Sequence, residues 1–313
     1  MANSVDLIFC ADRKVLHGAK VMLFSALYHL REGWSLNIRA FSIDLSSQEI
    51  ESIESSLRVL QKPFSLESVR IDLRALFMTD KMRPHYGGFA PYVKLVLPTL
   101  NQDRNPILYL DTDIVVCTDL AALVSTDLSG KILGVAEESE VAWALEGDFY
   151  LSQGFEQQSR FFNSGVMLLD TASWKEGDVT RQCLDFLQSH GLSAAAADQT
   201  ILNIILRGRF LPLNRIYNQL VYPSSPPIDP DRAQGIYHLV GRPKPWELLG
   251  EWLNAQSPLF YKYVDMTPNS GWRSLKHIDI TSLLTAARLS RSYYKEIRHR
   301  IRKSLRSNGI HAS

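Results

Sequence analysis

The sequence predicts an α/β fold: a mostly parallel, Rossmann-like sheet flanked by helices, followed by a basic amphipathic C-terminal tail. Three observations carry this prediction. Short apolar runs alternate with helical periodicities from Val5 onward, and strands that alternate with helices form parallel sheets with right-handed crossovers. The run Ile107-Leu108-Tyr109-Leu110 stops on Asp111-Thr112-Asp113, and open α/β sheets bind their ligands beyond the carboxyl ends of strands. Residues 288–306 hold eight Lys or Arg against the single acid Glu296, so the net charge of +1 conceals a remainder of −6.

Local pattern accounts for each element in turn. Residues 5–11 form an apolar run ending on Asp12, a buried first strand. Val21, Phe24, Leu27 and Leu30 recur at helical spacing within residues 17–30, and a second strand is expected over 37–43. Ser46 with Glu49 three residues on makes a capping box, opening a helix whose apolar face is Ile50, Ile53, Leu57 and Leu60. Val69-Arg70-Ile71 is expected as a short third strand. Gly87-Gly88 then introduces an expected helix over 90–100 carrying Tyr92 and Lys94. After the Asp-x-Asp strand the apolar residues resume at Ile114-Val115-Val116, and Thr118-Asp119 has the composition of a helix cap.

The second half opens with an expected strand over 132–136 and the pair Glu137-Glu138, where the reading of Glu138 as solvent-facing is preferred to one facing the site. Residues 141–160 show no period, so Trp143, Phe149, Tyr150 and Phe155 are either loop anchors or a sugar-facing surface. Asn163 and Gly165 enter an apolar strand within 161–170, where the glycine serves either a bulge or a close ligand approach. Asp198-Gln199 opens an apolar helix over 200–206, a place where the helix dipole alone favours an acid. Beyond a Pro-Ser loop at 223–230, a strand from Ile236 ends around His238, and Lys244 follows in a proline-stiffened loop.

Composition narrows the class. A chain of 313 residues with 45% hydrophobic and 21% charged residues is long enough for one large folded domain. Cys10, Cys117 and Cys183 are widely spaced in apolar surroundings, which fits neither a disulfide framework nor a zinc site and suits a reducing cytoplasm. The N-terminus lacks a basic region followed by a long apolar core, and nowhere do 18 apolar residues run together, so neither a signal peptide nor a membrane span is expected. No Gly-x-Gly-x-x-Gly follows the first strand and no Walker motif occurs, which leaves a metal ion to hold phosphates.

The Asp-x-Asp motif suits that task. In extended backbone, residues two apart point to one side, so Asp111 and Asp113 converge, and two anions in apolar surroundings require a cation between them. A hard divalent ion, Mg²⁺ or Mn²⁺, with a phosphorylated ligand satisfies this. A plain Asp turn leading into the cap at Thr118-Asp119 satisfies the same pattern. His238 is either a structural histidine or the nitrogen ligand of the same ion.

Four motifs in fixed order extend the reading: Asp111-Thr112-Asp113, Phe162-Asn163-Ser164-Gly165-Val166, Asp198-Gln199-Thr200-Ile201-Leu202-Asn203, and His238 with Gly241 and Lys244-Pro245-Trp246. Over residues 5–246 the chain thereby resembles glycosyltransferase family 8, which includes bacterial lipopolysaccharide galactosyl- and glucosyltransferases and glycogenin. The resemblance implies a GT-A-type fold in residues 1–275 and retaining transfer of a hexose, galactose or glucose, from a UDP-sugar with Mn²⁺, Mg²⁺ being an alternative. It matches Asp111, Asp113 and His238 to metal ligands, with Thr112 between the two acids in the donor site. It matches Gly241 and Lys244 to diphosphate contacts, Asp12 to the uracil contact, and Lys94 to the basic residue at donor sugar and phosphate. Asn163, Asp198 and Gln199 match the pocket of the transferred sugar, with Asp198 and Gln199 nearest the chemistry. The chain departs from the pattern at Arg13-Lys14, where many members carry a second acid or an Asn.

Transfer builds negative charge on the departing diphosphate, which a divalent ion and Lys244 would stabilise. Same-face attack, with Asp198 and Gln199 positioning the sugar, is preferred to double displacement. Two other classes would use parts of this pattern: a metal-dependent nucleotidyl or phosphoryl transferase, which needs further acids for a second ion, and a non-catalytic carbohydrate-binding protein. In the tail, residues 276–313, Leu284, Ala287, Tyr294, Ile297, Ile301 and Leu305 recur at helical spacing among basic residues. A helix simply packed on the domain is one reading, and nucleic acid does not reward the apolar stripe. Residues 283–306 are therefore expected to dock the enzyme peripherally on the anionic inner face of the cytoplasmic membrane, beside a glycan or lipid-linked acceptor.

Overall fold

The structure, a computed structural model, describes residues 3–77, 81–82, 88–101, 103–268, 270–276, 278 and 280–307, with the side chains of 74, 276, 281 and 302–307 outside the description. Gly87 of the Gly-Gly pair and the tail side chains of Arg302, Lys303, Leu305 and Arg306 lie outside the described residues.

Ten strands are described: β1 (Ser4–Ala11), β2 (Ser35–Ser42), β3 (Phe64–Arg70), β4 (Ile107–Leu110), β5 (Ile114–Cys117), β6 (Leu133–Glu140), β7 (Arg160–Leu169), β8 (Phe210–Leu213), β9 (Gln219–Val221) and β10 (Gly235–Leu239). Around them run α1 (Leu16–His29), α2 (Ser47–Arg58), α3 (Leu73–Phe77), α4 (Leu120–Val124), α5 (Gly147–Ser152), α6 (Thr171–Glu176), α7 (Val179–His190), α8 (Asp198–Ile205), α9 (Gly250–Leu253), α10 (Ser257–Asp265), α11 (Ile280–Arg288) and α12 (Ser290–Ser307). The main sheet has the order β3-β2-β1-β4-β7-β6-β8, and a small second sheet has the order β5-β10-β9. In the main sheet β3, β2, β1 and β4 are mutually parallel, while β7 runs antiparallel to β4 and β6, so the sheet is mixed and mostly parallel.

The capping box at α2 forms as its spacing predicts: Ser46 accepts from the Glu49 amide, and the Glu49 carboxylate receives the Ser46 amide at 2.7 Å. β1 and β4 are buried along almost their whole length because helices cover both faces. One apolar layer packs α1 and α10 against β1, β2 and β5, and a second packs α7 and α8 beneath β4, β6 and β7. Ser25 of α1 accepts a hydrogen bond from the Val116 amide at 3.0 Å, tying that helix to the second sheet.

Four expectations change. The third strand begins at Phe64, five residues earlier than Val69, since its edge position leaves polar residues exposed and hides the apolar run that marks a central strand. The expected helix over 90–100 is a pair of 3₁₀ turns, Ala90–Leu95 and Thr99–Asn101, because Pro91 and Pro98 withhold amides from an α-helical ladder. The strand expected to stop at Ala136 continues to Glu140. Residues 141–160 contain the 3₁₀ turn Val141–Trp143 and α5, with Tyr150 and Phe155 buried against Val141 and Phe161 as anchors while Trp143 is 80% exposed.

Among the described residues no helix is long and apolar enough to cross a membrane. Cys10, Cys117 and Cys183 are free and buried.

Candidate active site

The two sheets meet at Asp111-Thr112-Asp113, where the chain leaves β4 in the main sheet and enters β5 in the small one. This crossover fixes both acids. The Asp111 amide donates to the Gly165 carbonyl at 2.8 Å, and the Asp113 carbonyl receives the Leu239 amide at 2.8 Å. Antiparallel pairing sets His238 opposite Ile114, so the imidazole lies beside the carboxylate that precedes β5. The ligand atoms of Asp111, Asp113 and His238 lie within 4.8 Å of one another. His238 Nε2 is 3.1 Å from Asp113 Oδ1 and 3.9 Å from Asp111 Oδ2.

The far side of the imidazole tests whether these residues suit a metal. His238 Nδ1 faces Asn163 Oδ1 at 3.1 Å and Asn218 Oδ1 at 3.2 Å. Both are acceptors, so Nδ1 carries the proton and Nε2 turns its lone pair toward the carboxylates, as a metal-ligating histidine requires. Asn163 Oδ1 is held in place by the Gly165 amide at 2.9 Å and Asn218 Nδ2 at 3.0 Å. Gly165 is needed for the approach, since a Cβ there would lie 2.3 Å from the His238 ring. Two carboxylates and an oriented imidazole fit a hard or borderline divalent ion.

Two buried ammonium groups surround the triad. Lys94 Nζ lies 3.0 Å from Asp111, 3.1 Å from Asp198 and 3.2 Å from Ser164 Oγ. Burial works against the Lys94 charge, yet Asp111 and Asp198 outweigh it and raise its pKa above the ordinary lysine value. Lys244 Nζ donates to Asp113 Oδ2 at 2.5 Å and to the Leu239 carbonyl. Burial alone would raise the Asp113 pKa, but Lys244 and His238 together hold the carboxyl well below its usual range. The loop that carries Lys244 is fixed from behind. Gly241 has φ +77°, Tyr261 bonds the Pro245 carbonyl, and a Cβ on Gly250 would lie 1.9 Å from the Lys244 carbonyl oxygen.

These groups face one cavity of about 500 Å³, a size ordinary for a small-molecule site. Asp12, Lys94, Asp111, Thr112, Asp113, Asn163, Asp198, Gln199, His238, Gly241 and Lys244 all line it, so every site residue expected from the sequence comes together there. The family model for Glycosyl transferase family 8 matches residues 6–250. The chain belongs to glycosyltransferase family 8.

Among family relatives, glycosyltransferase GlyF of Streptococcus pneumoniae serotype 4 (strain ATCC BAA-334 / TIGR4) is 28% identical over 267 residues, 83% of this chain and 61% of the relative. Lipopolysaccharide 1,2-glucosyltransferase of Escherichia coli (strain K12) is 28% identical over 194 residues, 59% of this chain and 55% of that one. The chain thus spans about 60% of the length of these curated relatives. The crystal structure of galactosyltransferase LgtC in complex with donor and acceptor sugar analogues superposes with a TM-score of 0.67 at 20% identity, covering 90% of this chain and all of that one. At that identity the likeness shows the fold, which is of the GT-A type.

The structure also brings in residues that had no expected place in the site. Glu138, expected to face solvent, lines the cavity and receives Gln199 Nε2 at 3.3 Å. Register shifts between Val135 and Glu137 and between Glu137 and Ser139 break the strand's alternation and re-aim this side chain. Burial raises its pKa above the usual carboxylate value, with hydrogen bonds from Asn163 and Gln199 opposing the rise. Asn218 holds the imidazole, and nothing in its local sequence marks it. Ser164, in the middle of the motif that runs from Phe162 to Val166, donates to Asp198 Oδ2 at 2.8 Å. Ala197 at φ +51°, a strained value for alanine, launches α8 so that Asp198 enters the cavity. Thr285 and Arg288 of α11 line the cavity as well.

Proposed function

We propose that this family 8 chain is a retaining glycosyltransferase that moves galactose or glucose from a UDP-sugar to a glycan or lipid-linked acceptor, in lipopolysaccharide or other surface-polysaccharide synthesis. One observation carries the reading: an oriented Asp111–Asp113–His238 triad shares a single cavity with the Lys94–Asp198–Gln199 cluster. Lipopolysaccharide 1,2-glucosyltransferase among the relatives supports the substrate class. A divalent ion held by the triad, Mn²⁺ by preference and Mg²⁺ as alternative, would supply electrostatic stabilisation of the departing diphosphate.

The remaining chemistry belongs to side chains of the chain itself. Lys244 and the Gly241 backbone bind the diphosphate, and Asp12 at the end of β1 takes the uracil edge. Lys94 holds Asp111 and Asp198 in place and faces the junction of sugar and phosphate. Asn163, Asp198 and Gln199 bind the sugar hydroxyls. Asp198 Oδ2 already receives Lys94 and Ser164, which stabilises the anion and lowers its nucleophilicity. Same-face attack with Asp198 and Gln199 as positioning groups is therefore favoured over a covalent intermediate.

Residues 1–275 form the donor domain and 276–313 a tail that docks on the inner face of the cytoplasmic membrane. Its exposed residues support this: Ile280, Leu283, Leu284, Tyr294 and Ile301 are 52% or more exposed beside exposed Arg291, Lys295 and Arg298. Leu284→Glu with Ile301→Glu should weaken salt-sensitive binding to anionic vesicles, and unchanged binding would remove the tail as the anchor. For the enzyme itself, UDP-galactose and UDP-glucose are incubated with protein and Mn²⁺, followed by acceptor glycans. UDP release and an α-linked product by NMR are expected. A β-linked product overturns retention, and no release from any UDP-hexose overturns the donor class.

A further inference from the structure

Helix α11 shows two faces of different chemistry. Ile280, Leu283 and Leu284 point to solvent, at 74%, 52% and 65% exposure, whereas Thr285 and Arg288 line the cavity of the metal triad. The neighbouring α12 fixes this placement. Tyr293 is buried and lies near Arg242, and Arg300 sits 5.3 Å over the ring of Trp252 in α9, the helix that follows the Lys244 loop.

Most cations of the cavity are already committed to carboxylates: Lys94 to Asp111 and Asp198, Lys244 to Asp113, Arg242 to Glu247. Among the described residues, Arg288 and Lys14 line the cavity and form no ion pair with a carboxylate. They stand on elements far apart in sequence, the turn after β1 and the first tail helix. A guanidinium with its planar set of donors unengaged, facing a cavity whose inner charges are paired, is suited to an anion brought in by the ligand.

We propose that Arg288 contacts the diphosphate of the nucleotide donor, making α11 a wall of the donor site and the tail a requirement for tight donor binding. The proposal rests on the UDP-sugar reading above. Its test is calorimetry on the full chain with Mn²⁺, titrating UDP and uridine into the native protein, Arg288→Ala and Arg288→Lys. Arg288 is exposed, so the variants should fold, which the thermal midpoint checks. Loss of one charge-assisted phosphate contact predicts about tenfold weaker UDP binding by Arg288→Ala, partial recovery in Arg288→Lys, and unaltered uridine binding. In turnover the donor KM should rise while the acceptor KM holds. Native-like UDP affinity in Arg288→Ala, an equal loss for UDP and uridine, or a rise confined to the acceptor KM would each overturn the proposal. A native protein that binds no UDP would instead overturn the donor reading, and this proposal with it.

Discussion

Replacing Lys94 with methionine keeps the length of the side chain and removes its charge from between two acids. The ammonium lies 3.0 Å from Asp111 and 3.1 Å from Asp198. At an effective dielectric of about 20, each such contact is worth about 5 kcal/mol of attraction, against a desolvation cost of several kcal/mol for the buried ion. Asp111 keeps 24% of its side-chain exposure and can turn to water, but Asp198 keeps 5% and cannot. Lys94→Met should therefore destabilise the fold by about 3 to 5 kcal/mol, most of it from an unpaired Asp198. Urea unfolding at neutral pH measures the loss. Adding Asp198→Asn to Lys94→Met should restore at least half of it, because the stranded charge disappears with its partner. A loss below about 1 kcal/mol, the value of an exposed pair, or a double variant weaker than Lys94→Met, would refute the reasoning.

Two further outcomes follow from the site's geometry. Gly165→Ala should push the His238 ring away from the acids and weaken Mn²⁺ binding by 10-fold or more, read from the free-ion signal in electron paramagnetic resonance; native affinity would show that the strand has slack. Burial raises the Glu138 pKa, so its neutral form is favoured in the fold, and ionisation weakens the native state as pH rises above the unfolded carboxylate value of about 4.3. Glu138→Gln should match the native protein in urea at low pH and become the more stable of the two as pH rises from there through the folded pKa. A pH-independent difference would contradict the burial argument.

The pairing of Asp111 with Asp113 was legible because its signal is short-range: the two share a side by backbone geometry alone, and an apolar strand before them announces a sheet end, whereas only the family resemblance drew His238 to them. The capping box at Ser46 and Glu49 was legible for the same reason. Glu138 was not, since two register shifts cancel the alternation on which any strand reading depends. Asn218 comes from a 3₁₀ exit beside β9, a strand of three residues with no pattern long enough to recognise. The division into two sheets was also hidden, because β4 and β5 read as one apolar run interrupted by polar residues, whereas the interruption is where the chain changes sheet. The residues of the tail that face the cavity, Thr285 and Arg288, carry the same helical periodicity as those that face water, and only the packing of Tyr293 and Arg300 tells the faces apart.

The contact between Gly165 and His238 makes two jobs inseparable. Asn163 and Gly165 belong to the strand that lines the proposed sugar pocket, yet one orients the imidazole and the other leaves it room. A variant selected for a new donor hexose by remodelling this strand would shift the imidazole on β10 at the same time. Changes of sugar preference at 163–165 should then arise only together with compensating substitutions near Asn218 or His238. Directed-evolution libraries that vary residues 163–165 alone would mostly sample proteins with a displaced imidazole at the proposed ion site.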